Sequence, residues 1–168
     1  MLPLMKTPLY ILSLLLVTAA CGDGSNPADP PELLFVQNSD GATLTDSTLT
    51  LTGVSQQTGW FTDRPYRVAG QVPTEEFVLL WSEGSMANDP PNADFTCTVD
   101  GEVVNYVVEL TSARLDGDEL TYGARVIGDA EVVSEITCDE AHLFVDDIPW
   151  SEIAEVLGDI GVGIILVL

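Results

Sequence analysis

The stretch that decides the fold is Ala93–Ile127, ADFTCTVDGEVVNYVVELTSARLDGDELTYGARVI. It contains two Asp-Gly pairs, Asp100-Gly101 and Asp116-Gly117. Asp-Gly between alternating segments is the strongest short signal for a β-hairpin, because tight hairpin turns need backbone with positive φ. On either side apolar and polar residues alternate, with Val104, Tyr106 and Val108 on one face of Glu102–Leu110. The pattern predicts strands over 93–99, 102–110, 110–115 and 120–127.

The same reading extends outward. Leu33–Val36 is a short apolar strand, and Thr48–Val54, TLTLTGV, alternates as a half-buried strand should. Trp60-Phe61 belongs to another strand, ended by Asp63-Arg64-Pro65. Gly128-Asp129 is a third turn leading into 130–137, and 141–145 closes the series. Turn signals at this spacing point to a sandwich or barrel. The expected class is mainly β, an antiparallel β-sandwich with one short α-helix packed on it. That helix is predicted over about 74–83, within PTEEFVLLWSEG (Pro73–Gly84). Thr74 can cap it, Glu75 and Glu76 suit its positive end, and Phe77, Leu80 and Trp81 share one face. A second short helix is predicted over 150–157, with Ser151 as its cap.

The chain has 168 residues and a formal charge of −22, from 27 acidic and five basic side chains. Such a balance disfavours nucleic acid as a partner, because phosphate contacts need Lys and Arg. A hydrophobic content of 46% is enough to build a core. The length suits one domain with a tail.

The N-terminus reads as an address. Lys6 precedes the apolar run from Pro8 to Val17, and Thr18-Ala19-Ala20-Cys21 follows. The run is short for a membrane span and has signal-peptide anatomy, with Met5 an alternative start. It resembles a bacterial lipoprotein signal, which implies lipidation of Cys21 as the mature N-terminus. The alternative is an ordinary secretory signal cut near Ala20. The expected organisation is a signal peptide over 1–20, a lipid-anchored flexible tether over 21–32 (CGDGSNPADPPE), and a single β-rich domain over 33–168. The last ten or so residues, ending IGVGIILVL, are an apolar terminal strand or an exposed tail. The expected location is the bacterial cell envelope, extracytoplasmic, with the membrane as a partner through the lipid. Assigning Cys21 to lipid leaves Cys97 and Cys138 to pair as a disulfide in an oxidising compartment, the alternative being a metal site.

Catalytic constellations are scarce in the sequence. It has no G-x-S-x-G, and after Lys6 no lysine. His142 is the single imidazole, in a strand-like context. Carboxylates are too abundant for any pair to stand out. Asp116, Asp118 and Glu119 are weak calcium candidates at one turn, as are Asp146-Asp147 at another, without an EF-hand pattern. No other cofactor is expected. The cations after Cys21 are Arg64, Arg67, Arg114 and Arg125, each expected to meet a carboxylate. Asp63, Arg64 and Arg67 form either a tight turn with an internal ion pair or an anion clamp, with Trp60, Tyr66 and Trp81 supplying an aromatic wall.

These residues also carry a resemblance. WFTDRP (Trp60–Pro65), Arg67, Ala69-Gly70, Thr74, Phe77, Trp81, Gly84 and DPPNA (Asp89–Ala93) resemble a family of uncharacterised bacterial exported proteins. VVEL (Val107–Leu110) and LDGDELTY (Leu115–Tyr122) extend the likeness over about residues 48–127. It implies export and carries no catalytic role. The Cys97 and Cys138 pair is a departure from that pattern. The leading expectation is a non-enzymatic binding or structural module of the envelope. The alternatives are a carboxylate- or divalent-ion-dependent hydrolase and a calcium-responsive binding domain.

Overall fold

The computed structural model describes residues 32–82, 84, 86–128 and 135–149. The predicted signal peptide, nearly all of the tether, the second helix and the apolar terminus lie outside the described residues.

Among the described residues, ten strands and one helix follow in chain order. The first five strands are β1 (Glu32–Ser39), β2 (Gly41–Thr45), β3 (Thr48–Thr52), β4 (Gln57–Thr62) and β5 (Ala69–Pro73). After the helix α1 (Thr74–Ser82) come β6 (Asn92–Val99), β7 (Glu102–Asp116), β8 (Glu119–Val126), β9 (Glu135–Cys138) and β10 (Glu140–Pro149). The protein is mainly β with a single short helix among the described residues. Every ladder is antiparallel, and the order is β5-β4-β1-β10-β6-β7-β8-β3-β2-β9.

The ladders form one sheet, where two stacked sheets were expected. The reason lies in strand paths that bend. Asp40 alone separates β1 from β2, and Asp139 alone separates β9 from β10. Ser39 pairs with Ala141, and Ala42 pairs with Cys138, in one unbroken register. Each couple is therefore a single long path with a corner. The far strand β9 is thereby brought back to β6, where the Asp139 N–H donates to the Thr98 carbonyl at 2.9 Å. Cys97 and Cys138 form a disulfide across this seam, with Cα atoms 5.6 Å apart. The sheet closes on itself, so the core has one continuous wall.

A third bend occurs in β7. Sequence alternation suggests two segments meeting at Leu110, but the structure has one strand with a bulge between Leu110 and Ser112. An extra residue flips the parity of a strand. Val108 and Leu110 point inward before the bulge, whereas Ala113 and Leu115 are the half-buried positions after it. Gly123 stands opposite. A Cβ there would lie 2.6 Å from the hydroxyls of Ser112 and Thr111, so only glycine fits without displacing them. The two predicted Asp-Gly turns form as expected, with φ of 52° and 82° at Asp100 and Gly101 and 67° at Gly117.

The core lies inside the closed wall. Leu33, Phe35, Leu49, Phe95, Leu110 and Leu143 are fully or almost fully buried, each from an inward position of its strand. The helix follows directly on β5. It packs against β4, β5 and β7. Phe77 meets Phe35 with ring centroids 4.8 Å apart, Trp81 lies edge-on to Phe77 at 5.4 Å, and Tyr122 lies edge-on to Trp81 at 5.4 Å. Aromatic pairs of this kind add about 0.5–1.5 kcal/mol each beyond the area they bury.

Candidate functional site: a turn and a cleft at the two ends of one hairpin

The β4–β5 hairpin carries the residues that stood out in the sequence. Trp60 is 5% exposed and its indole lies flat against Gly70, where a Cβ would meet the ring at 2.5 Å. The Trp60 Nε1 is buried and has no hydrogen-bond partner among the described residues. Beyond β4 the chain turns through Asp63–Arg67. The Asp63 carboxylate accepts from the Arg64 backbone N–H at 2.6 Å, and the Asp63 carbonyl accepts from the Tyr66 N–H at 3.2 Å. Thr62 and Val68 close the base, with the Val68 N–H donating to the Thr62 hydroxyl at 2.8 Å.

The turn therefore uses its polar groups on its own backbone. Asp63 serves an amide, where an ion pair to Arg was expected. Arg64 and Arg67 are exposed, and neither has an ion pair among the described residues. The expectation that every Arg meets a carboxylate holds for two of the four. Arg125 grips Glu109 with 2.9 Å contacts to both carboxylate oxygens, and Arg114 stands 3.6 Å from Asp116. Trp81 is 5% exposed, and its Nε1 donates to the Leu110 carbonyl at 3.1 Å. Both indoles belong to the core, so of the expected aromatic wall only Tyr66, half-buried in the turn itself, stands between the two arginines.

The other predicted residues lie elsewhere. Asp116, Asp118 and Glu119 sit exposed at the β7–β8 turn. The Asp118 carbonyl accepts from the Val54 N–H, and no group of three metal-ligating side chains assembles among the described residues. Asp146 is exposed on β10. His142 is a surface residue, its Nδ1 2.8 Å from the Asn38 side-chain oxygen and its Nε2 3.8 Å from Glu140.

At the opposite end of the same hairpin is a cleft of about 420 Å³. Its walls are the loop 54–57, the junction 73–75 where β5 becomes α1, and Leu115 with Gly117 from the β7–β8 hairpin. It occupies the fork between β3 and β4. Thr74 anchors the junction: its N–H donates to the Gln56 carbonyl at 2.9 Å and its hydroxyl to the Ser55 carbonyl at 2.7 Å. No first-turn N–H among the described residues donates to that hydroxyl oxygen, so the cap expected from the sequence does not form.

A chain of buried side chains leads from this wall into the core. The Tyr122 hydroxyl donates to Gln37 Oε1 at 2.5 Å, and Gln37 Nε2 donates to the Thr58 hydroxyl at 3.1 Å. Thr58 and Thr74 hydroxyls are 3.0 Å apart. Because the Thr74 proton goes to Ser55, Thr58 must donate to Thr74. All four bonds therefore run in one direction, from Tyr122 outward to the Ser55 carbonyl. Gln37, Thr58 and Thr74 are each at most 2% exposed, so water does not compete for these groups. Burial pushes the Tyr122 phenol far above its ordinary range, against a smaller opposing effect of the bond to Gln37.

Sequence reasoning passed over this cleft. The available signal was Gln37 at an inward position after Leu33 and Phe35, together with Thr58 at an inward position beside Trp60. Polar residues on a buried face must find partners. No match to this chain is found among protein-family models, curated proteins or solved structures.

Proposed function

We propose that this chain is a lipid-anchored, extracytoplasmic binding module of the bacterial envelope, without catalysis of its own. One observation carries the reading: the disulfide between Cys97 and Cys138. Such bonds persist in oxidising compartments, which supports export. With those two cysteines joined, Cys21 is the odd one, and it stands where the N-terminal sequence resembles a lipidation site. Several acyl chains, at about 0.8 kcal/mol per buried methylene, would hold even so acidic a domain at a membrane. The tether after Cys21 supports a domain carried clear of the bilayer, and the family likeness of the WFTDRP and DPPNA segments supports export. An envelope module with a preformed cleft and no recognised nucleophile–base set fits binding better than turnover.

The test is metabolic labelling with a fatty-acid probe in a bacterial host, followed by fractionation. The expected result is acyl label and membrane association in the wild type, both lost in Cys21→Ser while the disulfide still forms. Equal fractionation of the two proteins, with no label in either, would overturn the anchor.

A further inference from the structure

We infer that the cleft between 54–57, 73–75 and the β7–β8 hairpin is a binding site for a neutral, hydroxyl-rich ligand, a mono- or disaccharide unit. The inference rests on the binding-module reading and supplies its ligand class. The lining selects the chemistry. Val54, Pro73 and Leu115 offer an apolar floor, and Gln56, Gln57 and Glu75 are exposed at the rim. No hydrogen bond or ion pair among the described residues engages the side chains of these three rim residues. A primary amide presents donors and an acceptor together, and a carboxylate accepts from two hydroxyls, which matches the mixed donor–acceptor edge of a sugar. The C–H face of a sugar ring is in turn suited to an apolar floor.

The competing ligand classes fit poorly. Among the described residues no cation lines the cleft, and Glu75 within a chain of charge −22 repels an anion. A hard metal ion wants six to eight oxygens and at least some dedicated carboxylates, and the lining holds one. An acyl chain would leave the rim amides unpaired at a cost. The volume of about 420 Å³ falls in the usual range for small-molecule pockets, roughly 300–1,000 Å³.

The wall is also preorganised. The Ser55 and Gln56 carbonyls are fixed by Thr74, and Thr74 is fixed through Thr58 and Gln37 to the fully buried Tyr122. A site held in its binding shape avoids the ordering cost that weakens loop-built pockets.

The experiment uses the full chain purified in detergent, titrated calorimetrically with glucose, maltose, cellobiose and N,N′-diacetylchitobiose, with glucuronate as the anionic control. The expected result is saturable binding of at least one neutral saccharide, with glucuronate about tenfold weaker or worse. Gln56→Ala and Gln57→Ala, both at exposed positions, should each weaken that saccharide by about fivefold to tenfold. Leu115→Trp should abolish binding by filling the floor, and Gln71→Ala, exposed on β5 outside the cleft, should leave it unchanged. If Leu115→Trp fails to fold, the two Gln variants decide the matter. Cosedimentation with insoluble glycan, displaced by the disaccharide, would place the unit in a polymer. Binding of the free disaccharide alone would place it in solution. Absence of binding by every neutral saccharide would overturn the inference, as would binding indifferent to both Gln variants. Either failure leaves the anchor test untouched, so the two readings fall separately.

Discussion

The β4–β5 hairpin ends in two chemically opposite places. At one end, past Thr62, the turn carries two guanidiniums and a carboxylate, all exposed. At the other, where Gln57 pairs with Pro73, lies a cleft with a single charged side chain in its lining. In the turn, Asp63 and Thr62 are committed to closing their own backbone. In the cleft, a buried one-way chain secures the backbone, and the rim side chains are left without partners among the described residues. The difference teaches that conspicuous charge and organised recognition are separate properties. A polar side chain becomes available for a ligand when something else holds the backbone beneath it.

The largest expected effect tests whether the cleft depends on the core behind it. Trp81→Ala removes the edge contacts to Phe77 and Tyr122 and the bond to the Leu110 carbonyl. It should lower unfolding free energy by about 3–5 kcal/mol in urea titration. Amide exchange should rise more in 54–57 and 73–75 than in 63–68. Equal acceleration at both ends would erase the distinction drawn above. Next, Cys97→Ala with Cys138→Ala opens the β6–β9 seam, which closes a sequence separation of 41 residues. The pair should cost about 2–4 kcal/mol, and a loss below about 1 kcal/mol would show that the ladders hold the seam unaided.

Tyr122→Phe comes third. It leaves Gln37 Oε1 buried without its donor, at about 1–3 kcal/mol. The substitution also carries a pH signature. A phenol whose folded-state pKa is raised above its ordinary value of 10.0 stabilises the fold fully below that value. The contribution is lost as pH rises above it, because the unfolded chain ionises more readily. Wild-type stability should therefore fall with alkalinity above about pH 10, and the Phe variant should lack that part of the slope. Parallel slopes would remove Tyr122 from the account. The smallest effect belongs to the turn: Arg64→Ala and Arg67→Ala should each change stability by no more than about 0.5 kcal/mol, as exposed groups without ion pairs among the described residues. A larger loss would mean that the turn is more organised than its exposed guanidiniums suggest.

Much of the strand content was legible because its causes are local. Alternation in 48–52 and Asp-Gly at 100–101 and 116–117 act within a few residues, and so does the helix signal of 74–82. β2 and β5 were missed, since GATLT and AGQVP are weakly patterned and owe their strand state to neighbours. The break expected at Leu110 was a bulge, invisible without the partner strand that counts residues against it. Trp60 and Trp81, read with Tyr66 as a ligand wall, belong to the core, because an aromatic residue reads the same in a core and in a pocket. Of the cleft only the inward polar residues Gln37 and Thr58 gave a signal, because its lining comes from three segments far apart in the chain.

By itself, then, the sequence determined the mainly β class, the two tight turns, the helix and the availability of Cys97 and Cys138 for each other. These follow from periodicity, from backbone with positive φ and from residue chemistry. Only the tertiary structure decided that the corners at Asp40 and Asp139 turn ten strands into one closed sheet. It also decided that Arg64 and Arg67 face solvent while Gln37, Thr58 and Thr74 align inside. The physical reason is that register and closure are set by pairing between distant segments, and partners are chosen only when the whole wall has formed.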